Sequence, residues 1–326
     1  MASSINASTS GAGGVITSAD NSGILNLQSG GTTIATINST GFSTATGSTI
    51  NVPNTFGYKN RLINGAMQIS QRGTTINSIS TDGTYTADRW YIARGGTINY
   101  TQSTSSPPTG FQYYASYINQ SAGNPFLNVT QLIESINSFD LLGQTVTISV
   151  WLKAAANTAG STAVSLSLGT ATTADTKLTA FIGTTAFTIS SSAWTKCTMS
   201  VAVPSNALSI SAVVTLGTMA VGDGVFVTGA QLELGSQATS FDFRDVGTEL
   251  VRCQRYYETG GGIVLASNAY YSYYYKVTKR TSPTVTNVVA AGGSVSVGSS
   301  SGTGEWYQNS NATSLSTMTF TASAEL

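Results

Sequence analysis

The chain has 326 residues, of which only 9% are charged, and 14 Lys plus Arg are balanced by 14 Asp plus Glu. An ordinary globular domain carries about a quarter. Zero net charge leaves no positive field to condense onto phosphate, which argues against a nucleic-acid partner. Histidine is absent altogether, which removes the Ser-His-Asp triad, the usual zinc site and an imidazole pH switch. In place of charge the sequence supplies 45 Ser, 49 Thr and 34 Gly. Thr suits strands, Gly suits turns and all three are weak helix formers, so the expected fold class is all-β.

Residues 1–58 contain a single charged side chain, Asp20, and read as short strands punctuated by glycine, such as Leu25 to Leu27 and Thr33 to Ile37. Each holds only two or three apolar side chains. That is too little burial to offset backbone ordering at roughly 1–2 kcal/mol per residue. Neighbouring chains are therefore expected to complete the core of this short N-terminal β segment.

Residues 59–240 read as a large β domain. Val146, Ile148, Val150 and Leu152 alternate with Thr147, Ser149 and Trp151, and the same period of two runs through Val164 to Leu168, Cys197 to Val203, Leu208 to Leu216 and Val225 to Leu234. Many short strands without a repeated strand-helix unit predict a jelly-roll-like β-sandwich. Within this region Phe126 to Leu142 is the best helix candidate, with Leu132, Ile133 and Ile136 on one face. Cys197 and Cys253 are expected to be small buried hydrophobes.

The most charged stretch is 241–258, where Leu250, Cys253 and Tyr257 recur at helical spacing. Beyond it, a Tyr-rich strand from Tyr270 and further strands to Phe320 suffice for a smaller distal β domain over 241–326. No run of about 18 apolar residues occurs, and Met1-Ala2-Ser3-Ser4 is neither basic nor apolar, so neither membrane insertion nor a secretory leader is expected.

The stretch Asn60 to Gly73, followed by Tyr85-Thr86-Ala87-Asp88-Arg89-Trp90-Tyr91, resembles the opening of a carbohydrate-binding-like domain of phage tail fibre and receptor-binding proteins. Gly143 to Ala154 looks like that family's inner strand, Ala230 to Gly235 like its last strand, and Glu249 to Glu258 like the signature joining it to the tip. Lys279 to Val285 is similar to the strand entry of the distal domain. The resemblance implies a non-enzymatic homotrimeric fibre located on the virion. Its N-terminal segment would bind virion adaptor, nozzle or capsid proteins, and its distal β domains would recognise a host-surface polysaccharide. No cofactor, metal or catalytic residue is implied. A polysaccharide-degrading tailspike-type hydrolase and a purely structural capsid or collar decoration protein are the alternatives.

Sugar recognition needs a flat apolar ring face beside hydrogen-bonding groups. Tyr271, Tyr273 and Tyr275, on one face by alternation, together with Trp306 and Tyr307, are the candidate glycan-binding residues. Asp88, Arg89 and Trp90 are expected to be structural, an arginine paired to a carboxylate beside a core tryptophan. Glu249, Arg252 and Arg255, with Glu258, are expected to form ion pairs at i,i+3 spacing. Glu134, Asp140, Asp223 and Glu233 are the carboxylates from which a hydrolase would have to draw its pair. Loops at Asp82-Gly83 and Asp223-Gly224 are places where a divalent ion is conceivable.

Overall fold

The computed structural model describes residues 3–7, 15–18, 22–39, 41–45, 58–123, 125–265, 270–290, 294–310 and 316–326. The chain divides into two compact units, Met1–Thr55 and Phe56–Leu326.

In the first unit, five strands form one sheet in the order Val15–Ser18, Ser3–Ala7, Leu25–Ser29, Thr32–Asn38, Gly41–Thr44. One pairing, Ser3–Ala7 with Leu25–Ser29, is parallel and the others are antiparallel. Over residues 22–39 and 41–45, Ala35 is the one buried side chain, while Ile34, Ile37 and Phe42 are exposed.

Two six-stranded antiparallel sheets make the body of the second unit. One runs Thr195–Ala202, Thr145–Ala154, Gly224–Leu234, Tyr114–Asn119, Ile98–Ser103, Thr75–Ile79. The other runs Ala180–Thr188, Ala163–Ala171, Ser209–Leu216, Leu127–Ile133, Tyr91–Arg94, Thr84–Tyr85. Alternate residues turn inward from both, so Val146, Ile148, Val150 and Leu152 meet Val164, Leu166, Leu168 and Val214 in one core. Burying each such side chain contributes about 1.5–3 kcal/mol. Two core phenols are satisfied by hydroxyls, Tyr100 by Ser70 at 3.0 Å and Tyr117 by Thr86 at 2.9 Å.

The helix expected over Phe126 to Leu142 does not form. Leu127–Ile133 is a strand, paired on one side with Ser209–Leu216 and on the other with Tyr91–Arg94. Its inward set is Leu127, Val129 and Ile133, while Leu132 is buried on the opposite face. Burial on both faces hides the period of two that marks a strand. Two single 3₁₀ turns follow, Ser135–Asn137 and Phe139–Leu141. The helical spacing farther on corresponds to a real helix, Val246–Gln254, whose N-cap Asp245 accepts from the Thr248 amide at 2.9 Å.

After the helix come two three-stranded sheets. Ser316–Ser323 lies between Tyr257–Leu265 and Thr284–Ala290, and Gly304–Ser310 lies between Tyr270–Tyr274 and Ser294–Ser300. The last residues then return to the sandwich, where the Ala324 amide donates to the Tyr256 carbonyl at 2.7 Å and the Tyr85 hydroxyl to the Leu326 carbonyl at 2.7 Å. Both cysteines are buried free thiols, and burial pushes the Cys197 thiol up to about 11.

Candidate functional site

Three short segments meet around a cleft of about 590 Å3. They are the entry to the sandwich near Tyr58 to Ile63, the end of strand Leu127–Ile133 with its 3₁₀ turns, and the last turn of helix Val246–Gln254. The volume lies in the range of small-molecule sites. Three bulky apolar side chains stand at the cleft open to solvent: Tyr58, 63% exposed, Ile136, 69%, and Phe139, 71%. Helical or strand periodicity holds none of them outward. Ile136 and Phe139 sit in the two 3₁₀ turns, where Leu141 takes the buried position.

The polar wall is built around Glu134. Its carboxylate accepts from Arg255 Nη2 at 2.9 Å and Nε at 3.2 Å, from the Tyr256 hydroxyl at 2.9 Å and from Asn137 Nδ2 at 3.2 Å. Burial, opposed in part by Arg89 and reinforced by Glu134, pushes the Tyr256 phenol up to about 12, so it remains a donor. Gln131 clips the entry segment in place, exchanging 2.7 Å hydrogen bonds with the amide and carbonyl of Ile63. Arg61 pairs with Asp140 across the rim. Arg252 lies half-buried with its guanidinium 5.4 Å from the centre of the Tyr58 ring.

Behind this wall lies a junction of buried charges. Arg89, 1% exposed, pairs with Glu325, donates to the Leu132 carbonyl at 2.7 Å and stacks 3.6 Å over Tyr256. Burial alone would disfavour its charge, and Glu325 together with the Tyr256 and Tyr85 phenols outweighs that, holding Arg89 above its ordinary value. Arg72 reaches Glu325 at 3.1 Å and stacks 3.5 Å over Tyr257. Lys279 and Glu258, both 0% exposed at the side chain, pair at 2.7 Å.

Arg89 is paired to a carboxylate beside the buried Trp90, and that carboxylate is Glu325 rather than the adjacent Asp88. Asp88 does not neutralise Arg89; it accepts from the Gln71 amide at 2.8 Å and from the Gln71 side chain. Trp90 is buried, with Nε1 donating to the Asn64 carbonyl at 3.2 Å. Arg89 has φ of +71°, in the left-handed region. Glu249, Arg255 and Glu258 do form ion pairs, but not with one another at i,i+3 spacing. Glu249 pairs with Arg244 at 3.1 Å, Arg255 with Glu134 at 2.9 Å and Glu258 with Lys279. Helical neighbours on a solvated face gain only a few tenths of a kcal/mol, whereas these carboxylates are buried and take whichever cation the tertiary fold delivers.

Of the distal aromatic candidates, Tyr273 is half-buried and Tyr275 buried. Tyr273 donates to Glu258 at 2.9 Å and packs edge-on to Phe320 at 4.6 Å, and Tyr275 meets Tyr273 at 6.0 Å. Tyr274, on the opposite face, is 79% exposed. The strand pairing sets Tyr271 opposite Tyr307 and Ser272 opposite Trp306. The side chains of Tyr271, Trp306 and Tyr307 lie outside the described residues.

A second aromatic surface lies on the outer face of the sheet that contains Thr145–Ala154. Phe111, Phe241 and Phe243 pack with centroids 4.7–5.1 Å apart. Tyr114 meets Trp194 at 5.3 Å and Phe226 at 5.1 Å. Trp151 and Phe111 crowd Gly229, where an added Cβ would stand 2.7 and 2.6 Å from them and where φ is +60°, so this position admits only glycine. These rings are mostly half-buried, and the Trp194 indole donates to the Ser106 carbonyl at 2.9 Å.

The four hydrolase candidates do not form a pair of available carboxyls. Glu134 and Asp140 line one cleft but each is held by its own arginine. Asp223 accepts from Thr158, from Ser161 at 3.1 Å and from the Ala220 amide at 2.9 Å, while Glu233 accepts from Gln231 at 2.9 Å and twice from Thr239. Asp82 accepts from the Arg94 amide at 2.9 Å. Among the described residues no group of three or more His, Cys, Asp or Glu side chains is placed to hold a metal ion.

No protein-family model and no curated protein matches the chain. Solved structures with distant, partial resemblance in fold include the enzymatically active domain of bacteriophage CBA120 tailspike protein 4, at 18% identity and a TM-score of 0.37. That match covers 55% of this chain but 22% of the tailspike chain. A carbohydrate-binding module of the β-sandwich superfamily matches at 14% identity and a TM-score of 0.38, covering 61% of this chain and 71% of the module. The CBM22-1 xylan-binding domain of Paenibacillus barcinonensis Xyn10C matches at 13% identity and a TM-score of 0.30, covering 50% of this chain and 94% of that domain. Likeness this distant does not assign a family.

Proposed function

We propose that this protein is a non-catalytic glycan-binding fibre component of a virion, attached through Met1–Thr55 and binding a host-surface polysaccharide in the cleft between Tyr58, Phe139 and the Glu134 network. The observation that carries the binding reading is the cleft itself. Solvent-open rings stand beside Asn137 and a guanidinium, the pairing of flat apolar face and hydrogen-bonding edge that a pyranose requires. The same geometry supports binding over cleavage. Retaining and inverting hydrolysis both need two carboxyls free to act on the scissile bond, roughly 5–9.5 Å apart, and here each carboxylate of the cleft is committed to an arginine. The apolar side chains open on the N-terminal sheet, Ile34, Ile37 and Phe42, support self-association of that unit, and a homotrimer is the assembly the sequence resemblance implies.

The test is titration of the full-length protein with size-fractionated host-surface polysaccharide, followed by assay of the mixture for new reducing ends. Saturable binding that Phe139→Ala weakens, with no new ends, is the expected result. Reproducible cleavage would replace this reading with the hydrolase. Absence of binding by a folded assembly would replace it with a structural decoration protein.

A further inference from the structure

The charges at the cleft do not cancel. Four guanidiniums line it, those of Arg61, Arg89, Arg252 and Arg255, against two carboxylates, Glu134 and Asp140. Arg61 is matched by Asp140 and Arg255 by Glu134, and Arg89 by Glu325 from behind the wall. Arg252 is left over. The nearest acidic group on its own helix, Glu249, is taken up by Arg244 at 3.1 Å and by the Asn64 amide. The Arg252 guanidinium makes no hydrogen bond to any described protein group, and the Tyr58 ring lies 5.4 Å from it. Burial and the neighbouring Arg244 together depress its pKa, opposed by Glu249.

Arg252 lies within cation–π reach of Tyr58, its guanidinium carbon 5.4 Å from the ring centre, and no acceptor among the described residues takes its side-chain N–H donors. Such a fork matches the two oxygens of a carboxylate or the oxygens of a sulfate, and in a partly desolvated site the interaction is stronger than on an open surface. Tyr58 thus both adjoins Arg252 and stands at the cleft, and Phe139 offers a second ring to the sugar that would carry the anion. Accordingly, we infer that the cleft selects glycans bearing an anionic substituent, a carboxylate or a sulfate, with Arg252 as the residue that reads it. This rests on the glycan-binding reading above and adds the class of sugar.

The experiment compares three probes of similar length on the full-length protein by calorimetry at low salt: an oligogalacturonide, a sulfated galactan oligomer and a neutral galactan oligomer. At least one anionic probe is expected to bind roughly ten- to hundredfold more tightly than the neutral one, the range for a hydrogen bond to a charged group. The preference shrinks as salt is raised. Arg252→Gln should abolish the preference while leaving the melting temperature unchanged, and Arg252→Lys should keep part of it, since the charge survives but the planar fork does not. Preference for the carboxylate over the sulfate, or the reverse, identifies the substituent. Equal affinity for all three probes, lost on Phe139→Ala, overturns this inference while the glycan-binding cleft stands. A preference that persists in Arg252→Gln also overturns it. Binding of none of the three probes overturns it as well, and host polysaccharide then shows separately whether the cleft binds sugar at all.

Discussion

The five-stranded sheet of Met1–Thr55 and the sandwich of Phe56–Leu326 are both built from Ser- and Thr-rich strands yet differ in what covers them. The sandwich packs one sheet on another, and every inward residue finds a partner in its own chain. The N-terminal sheet, over residues 22–39 and 41–45, buries Ala35 alone and leaves Ile34, Ile37 and Phe42 open. The two units also use charge differently. The sandwich sinks Arg89, Glu325, Lys279, Glu258 and Glu134 into its junction, whereas residues 1–58 carry Asp20 alone apart from Lys-free strands. The contrast teaches that strand-forming sequence alone does not make a self-sufficient unit. A second layer does, and in this protein buried ion pairs fix how the last strands meet that layer.

The largest effect is expected where the contrast is sharpest. Glu258→Ala leaves Lys279 buried without its carboxylate, and breaking such a pair costs about 3–5 kcal/mol. Urea unfolding followed by tryptophan fluorescence should show this loss in the second unit. Replacing both residues by methionine should recover most of it, because the pair's value is spent largely on its own desolvation. A mild loss from Glu258→Ala alone would show that the junction tolerates an orphan charge, and the contrast between units would then rest on layers alone.

Second comes the open sheet. If neighbouring chains cover it, Phe42→Ser removes about 1.5–3 kcal/mol of burial for each copy assembled, and sedimentation equilibrium of the full-length protein should show weaker self-association with the sandwich's unfolding unchanged. An unchanged assembly state would place the contacts between copies elsewhere.

Much of the fold could be read in the sequence, because alternation such as Val146 to Leu152 requires only neighbours along the chain. The site could not, for a related reason. Its walls come from Tyr58, from Ile136 to Asp140 and from Arg252 to Tyr256, and only the folded sheets bring them together. The charged stretch at 241–258 was visible, but its partners were not. Arg255 finds Glu134 at a separation of 121 residues, and Arg89 finds Glu325 at 236. The tyrosines of the distal strand drew notice by number, yet alternation turns Tyr273 and Tyr275 inward, where they serve Glu258 and Phe320. The signal that could have pointed to the cleft, and that the helix expectation covered, is Ile136 and Phe139, bulky apolar residues in a Ser- and Asn-rich segment.

Third in size is the exposed ring of that cleft. Phe139→Ala should weaken glycan binding about three- to tenfold, the scale of an aromatic stacking contact, while leaving stability almost unaltered because the ring covers little of the core. Trp151→Ala on the sheet's outer face should do the opposite, lowering stability and sparing affinity. If Trp151→Ala is the variant that loses glycan, the binding surface moves from the cleft to the aromatic rows beside Gly229.

The smallest effect concerns the helix that brings Arg252 to the cleft. Hydrogen bonds from the Thr248 hydroxyl and amide hold the Asp245 carboxyl below its ordinary value of 3.8. A carboxylate whose folded pKa is depressed contributes stability that is fully present above the unfolded value and is lost as pH falls through the folded one. The helix N-terminus should therefore be indifferent to pH near neutrality and begin to fray only below about pH 4. Hydrogen exchange at the Thr248 amide, corrected for its intrinsic pH dependence, should show that onset, and Asp245→Ala should bring the same fraying to neutral pH. Affinity for an anionic sugar should weaken with it, because Arg252 sits in the last turn of that helix and its position beside Tyr58 depends on the helix remaining in register. Retained anion preference in a frayed Asp245→Ala helix would show that contact with Tyr58, rather than the helix, positions the guanidinium.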